Sequence, residues 1–139
     1  MRNGTPISAI MTKNVITLNT NDSLEHAEQL FKSNHIRHIP VVENKNIIGM
    51  LSYTDLLRIS FADAVDDSEA YVDTIVYNMF TIEQVMAKNI VSVAPTATIK
   101  EVAELLAIKE FHAIPIVEDE KLVGIVTTTD LINYLLDQF

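Results

Sequence analysis

Short apolar, β-branched runs alternate along the chain with stretches in which apolar residues recur every three or four positions. Val15 to Leu18 is the first such run and reads as a strand. Asn19 to Ser23 supplies turn chemistry, with Ser23 placed to cap a following helix. Leu24, Ala27, Leu30 and Phe31 then fall on one helical face, which predicts a helix of about ten residues. Ile39 to Val42 is a second strand, Asn44-Lys45-Asn46 the turn of a hairpin, and Ile47 to Leu51 a third strand. Leu56, Leu57 and Ile59 begin a second helix.

The same pattern returns 75 positions later without a gap. Met11-Thr12-Lys13-Asn14-Val15-Ile16-Thr17 falls on Met86-Ala87-Lys88-Asn89-Ile90-Val91-Ser92, and Ile39-Pro40-Val41-Val42-Glu43 falls on Ile114-Pro115-Ile116-Val117-Glu118. Gly49, Thr54, Asp55 and Leu56 meet Gly124, Thr129, Asp130 and Leu131. The second copy therefore predicts strands at Ile90 to Val93, Ile114 to Val117 and Leu122 to Val126, with helices over Ile99 to Ile108 and from Thr129. The expected organisation is a first repeat over 1–59, an acidic and partly helical linker over 60–81, and a second repeat over 82–139.

A β-α-β-β-α order gives each repeat a three-stranded sheet with helices on one face. So small a sheet leaves its other face apolar and exposed. The expected fold is therefore α+β: two β-α-β-β-α repeats whose small mixed sheets pack face to face about a pseudo-two-fold axis.

Charge changes this picture locally. The chain of 139 residues has a net charge of −9. Residues 59–87 hold six acids and no Lys or Arg, so two thirds of the excess belongs to the linker region. Val72, Ile75, Val76, Met79 and Phe80 give its second half a helical stripe, read either as a core-facing connector or as a contact surface for another subunit. The acidic balance argues against nucleic acid and against anionic membranes as partners. With no cysteine there is no disulfide, thiolate catalysis or cysteine-ligated zinc. The first ten residues are too polar for a signal-peptide core, and no apolar run approaches the ~20 residues of a membrane span. The cytoplasm is the expected location.

The repeats resemble the cystathionine beta-synthase (CBS) domain, whose tandem pairs form a Bateman module. The resemblance rests on three features: the Met-Thr-Lys-Asn-Val-Ile-Thr opening, the Arg37-His38-Ile39-Pro40-Val41-Val42 strand, and a Gly-x-x-Ser/Thr-x-x-Asp ending. The ending is Gly49-Met50-Leu51-Ser52-Tyr53-Thr54-Asp55 in one copy and Gly124-Ile125-Val126-Thr127-Thr128-Thr129-Asp130 in the other. It covers nearly the whole chain apart from the linker and termini, which implies a stand-alone pair.

The resemblance implies clefts between the two repeats that bind adenosine-containing ligands. By position, Asp55 with Ser52, and Asp130 with Thr127, are the ribose and phosphate contacts, and Arg37, His38 and His112 are basic residues for phosphate. Ile16, Ile39, Pro40, Val91, Ile114 and Pro115 are the expected adenine walls. The chemistry is sound by itself. An ionised carboxylate only accepts hydrogen bonds, and a ribose diol offers two donors. A helix beginning beside Thr54 or Thr129 points N–H groups at a phosphate. The glycine of each motif is expected to open space at the strand-to-helix boundary. The same Ser52-x-x-Asp55 and Thr127-x-x-Asp130 pairs also fit a capping box, which needs no ligand.

Other chemistry is thin. His26, His35 and His38 are close in sequence, but the matching residues are Glu101, Glu110 and Ala113, so surface or helix-capping histidines are expected and no metal site. There is no phosphate-binding glycine loop, and the acidic linker lacks calcium-loop spacing. The expected protein is thus a non-enzymatic regulatory module, needing no cofactor, that binds AMP, ADP, ATP, S-adenosylmethionine or cyclic di-AMP. It is expected to work as a homodimer in signalling, with a regulated partner protein. The rival is a ligand-free interaction module in which the Ser/Thr-x-x-Asp pairs only cap helices; a nucleotide hydrolase is a third, weaker reading.

Overall fold

The computed structural model describes residues 4–63, 77–109 and 112–139, with side chains described outside 60–63. Asn19 to Ser23 delivers the expected cap: Ser23 Oγ accepts from the His26 amide at 3.0 Å and opens α1, Leu24–Asn34. The helix ends at His35, which takes the left-handed conformation with φ 54°. Leu24, Ala27 and Phe31 are buried along one face, as their spacing predicts.

Strands β1 (His38–Glu43) and β2 (Asn46–Ser52) form an antiparallel hairpin. Its loop is tighter than the three-residue turn expected. Glu43 pairs with Asn46, leaving Asn44 and Lys45 as a two-residue connection, both at positive φ (53° and 71°). That geometry matches the right-handed twist of the flanking strands. α2, Tyr53–Asp63, follows directly. After the residues outside the description, 77–79 are helical and a single-turn helix, α3 (Ile82–Val85), is closed by a capping box between Thr81 and Gln84.

The second copy repeats this with α4 (Ile99–Lys109), β3 (Ala113–Glu118), β4 (Lys121–Thr127) and α5 (Thr128–Asp137). Thr98 caps α4 through the Glu101 amide, where Ser23 stands in the first copy. The hairpin loop is Asp119-Glu120, again at positive φ (52° and 71°). Even the irregularities match. Each hairpin carries a bulge, between Val41 and Val42 and between Ile116 and Val117. The extra residues are Ile48 and Val123.

The predicted first strand of each copy is shorter than its β-branched run suggests. Only Leu18 and Val93 pair, each as one parallel bridge, to Val41 and Ile116. Leu18 donates to the Pro40 carbonyl at 3.0 Å and accepts from the Val42 amide at 2.8 Å; Val93 does the same with Pro115 and Val117.

The chain forms two compact units, Ile16–Ile90 and Met1–Val15 with Val91–Phe139. The leading segment of each repeat thus belongs with the body of the other. In the contiguous unit, Met50 and Ala87 exchange backbone hydrogen bonds at 3.0 and 2.8 Å; in the other, Thr12 and Ile125 do so at 2.8 and 3.0 Å. Each unit has its own core. Leu18, Leu24, Phe31, Ile39, Val41, Leu51, Leu56, Ile82 and Met86 fill the first, and Ile7, Val102, Leu106, Ile114, Ile116 and Val126 fill the second. The buried Tyr77 joins the first core and donates its hydroxyl hydrogen to Glu28 on α1. The helical stripe expected at Val72, Ile75 and Val76 lies outside the described residues. Among the described residues, no helix is long and apolar enough to cross a membrane.

Candidate functional site

The hydroxyl and carboxylate residues singled out in sequence meet, within each unit, at the corner where a strand becomes a helix. In the first unit β2 ends at Ser52 and α2 begins at Tyr53. Ser52 Oγ accepts from the Asp55 amide at 3.1 Å, and Asp55 Oδ2 accepts from the Ser52 amide at 3.2 Å. His38 stands opposite Ser52 in the ladder. The carbonyl of Arg37 accepts from the Tyr53 amide at 2.9 Å, tying the start of β1 to the start of α2.

The second unit builds the same corner. Thr127 Oγ1 accepts from the Asp130 amide at 3.2 Å, and Asp130 Oδ2 accepts from the Thr127 amide at 2.9 Å. Ala113 stands opposite Thr127, and the His112 carbonyl accepts from the Thr128 amide at 3.0 Å and from the Thr128 hydroxyl at 3.3 Å. Both capping boxes are therefore formed. In each, the cap engages Oδ2, one of the two carboxylate oxygens.

Arg37, His38, Ser52 and Asp55 thus share one unit, and His112, Thr127 and Asp130 share the other. The side chains of Arg37 and His112 are exposed, while Ser52, Asp55, Thr127 and Asp130 are half-buried. The apolar residues divide differently. Ile39 and Ile114 are 0% exposed and belong to the cores of their units, and Pro40 and Pro115 are buried in the strands. Ile16 and Val91, at equivalent positions, are half-buried and retain accessible surface.

The glycines do not open space in the way expected of them. A β-carbon on Gly49 would meet the side chain of Met86, and one on Gly124 that of Met11, with the Thr12 carbonyl oxygen at 3.1 Å. The methionine that opens each repeat fills the room that the glycine leaves. It does so because the leading segment runs antiparallel beside β2 or β4, bringing its side chain onto the bare backbone.

One member of the first corner escaped the sequence reading. Arg58 Nη1 lies 3.5 Å from Asp55 Oδ1. The signal was present: a basic residue three positions after an acid on a helix shares its face. Among the described residues no group of three or more His, Asp or Glu side chains is placed to hold a metal ion. His26 and His35 sit at the start and end of α1.

The CBS domain family model matches residues 7–62 and 82–137. Three solved structures share the fold. A protein designated AcuB from Vibrio cholerae is 28% identical, with a TM-score of 0.81 over 96% of this chain and 91% of that one. CBSX2 in complex with AMP is 20% identical, with a TM-score of 0.80 over 97% and 98%. The CBS domain pair of protein MJ0100, in complex with 5′-methylthioadenosine and S-adenosyl-L-methionine, is 23% identical, with a TM-score of 0.77 over 97% and 98%. The chain spans 42% of the length of a curated Methanocaldococcus jannaschii relative that it matches at 28% identity over 94% of its own length.

Proposed function

This chain belongs to the CBS domain family as a tandem pair, and from that membership we propose a non-enzymatic regulatory module that binds an adenosine-containing ligand. The proposed contacts are Ser52 and Asp55 in one unit and Thr127 and Asp130 in the other. Arg37, His38 and His112 lie toward phosphate, and Ile16 and Val91 are the accessible apolar surfaces for the base. One observation carries the reading. Each corner holds a half-buried carboxylate whose Oδ2 serves the cap and whose Oδ1 stands outside it. Capping and ribose binding are therefore compatible in one side chain, because a carboxylate accepts about four hydrogen bonds. The solved pairs that hold AMP, or 5′-methylthioadenosine and S-adenosyl-L-methionine, support the ligand class.

Calorimetric titration with AMP, ADP, ATP, S-adenosylmethionine and cyclic di-AMP tests the proposal. Binding of at least one is expected, with Asp55→Ala and Asp130→Ala each removing one site. A folded protein that binds none of them overturns it.

The capping boxes favour a second reading, in which the pairs close helices and the module only docks other proteins. It expects both Asp→Ala variants to melt earlier while every titration stays flat. Under either reading we assign the module to a homodimer. α5 leaves Ile132, Leu135 and Leu136 exposed, and Phe139 follows it at the surface. Light scattering of wild type and an Ile132→Glu, Leu136→Glu variant checks that assignment.

A further inference from the structure

The two corners share a backbone plan but differ in charge. At the first, Arg58 Nη1 reaches Asp55 Oδ1, and the Arg58 side chain is 74% exposed while that of Asp55 is 22% exposed. Exposed Arg37 is anchored beside the same helix start by its own carbonyl. One guanidinium thus accompanies the carboxylate, and a second arginine stands at the strand start tied to the same helix. At the second corner Asn133 occupies the position of Arg58, and His112 that of Arg37. β3, β4 and α5 contain a single Lys or Arg, Lys121, at the hairpin end of β4 rather than at the corner. Asp130 carries its negative charge there without a guanidinium on its own helix.

We propose that Arg58 sets ligand class, so that the Asp55 corner selects a phosphorylated adenosine and the Asp130 corner an adenosine without phosphate. This rests on the ligand reading above. A guanidinium offers a planar fork of donors to phosphate and keeps its charge at any working pH. Arg58 is mostly exposed and stands 3.5 Å from the half-buried Asp55, so the pair is loosely held and the guanidinium gives up little when it turns to an incoming anion. At the other corner a histidine replaces the arginine at the strand start and no guanidinium follows Asp130 on its helix, which disfavours an incoming dianion. A neutral or cationic 5′-substituent meets no such penalty.

The test titrates the full chain with AMP and with adenosine, at low and moderate salt. Wild type is expected to show one site preferring AMP, with affinity falling as salt rises, and that site is lost in Asp55→Ala. Arg58→Asn is expected to lower AMP affinity there about tenfold, the scale of one charge-assisted hydrogen bond, and to leave adenosine within about twofold. Arg58→Lys is expected to keep most of the preference, and Asn133→Arg to create one at the second corner. An AMP-to-adenosine ratio that is equal at the two sites, or unchanged in Arg58→Asn, overturns the proposal while leaving the ligand reading intact. Failure of both probes and of the other adenosyl ligands overturns the ligand reading itself, and this assignment with it.

Discussion

The Met86 side chain lies over Gly49, in the volume a β-carbon would take, with its Cγ 2.8 Å from that point. The repeat thereby acquires a reason for two of its invariants between copies: a methionine at its head and a glycine in its third strand. Met11 and Gly124 reproduce the relationship in the other unit.

Gly49→Ala is therefore expected to destabilise the protein by about 1–3 kcal/mol, the scale of an overpacked core. Met86→Ala in the same chain is expected to restore part of that loss, since a shorter side chain removes the clash. Gly124→Ala combined with Met11→Ala is expected to recover less, because the Thr12 carbonyl oxygen also stands 3.1 Å from the added carbon. Denaturant unfolding of the four single and two double variants measures both coupling energies. Additive losses would refute the packing account.

The division into units gives a second expectation. A fragment of residues 16–90 carries its own Met86 and Ala87 beside β2, whereas a fragment of residues 1–75 lacks both. The first is expected to unfold cooperatively on heating, and the second to have no cooperative transition. Circular dichroism on the two purified fragments decides the matter, and equal behaviour would count against the exchanged leading segments as structural parts.

The caps carry a third. Ser52→Ala and Thr127→Ala each remove the acceptor of an N3 amide. Each is expected to cost about 1 kcal/mol of stability. Asp55→Asn retains an oxygen that can accept from the Ser52 amide but lacks the charge, so its melting temperature is expected to stay nearer wild type than that of Asp55→Ala. Thermal unfolding of these four variants provides the comparison.

A fourth concerns the hairpin loops. Lys45 and Glu120 both sit at φ 71°, a left-handed conformation that crowds a β-carbon against the following carbonyl. Lys45→Gly and Glu120→Gly are each expected to raise stability by up to about 1 kcal/mol, the strain relieved less the added chain entropy of glycine. Melting temperatures below wild type would refute this.

The repeat, the helix caps and the hairpins were legible in the chain because each depends on residues close in sequence. Ser23 caps an amide three positions on, and Ser52 and Asp55 cap each other. The 75-residue register carried these local signals from one copy to the other. The length of the first strand was less legible, because Leu18 and Val93 depend on a partner strand more than twenty positions away.

The candidate site divides along the same line. Sequence alone placed a carboxylate and a hydroxyl at each strand-to-helix boundary, and their spacing made the capping box. Tertiary structure decided that Ile39 and Ile114 are wholly buried while Ile16 and Val91 keep a surface, since alternation along a strand does not say which residues a neighbouring helix covers. It also decided that the glycines receive methionines, and that each methionine comes from the other repeat. A periodic pattern shows that an apolar side chain needs a partner; only the path of the chain in space determines which one it meets.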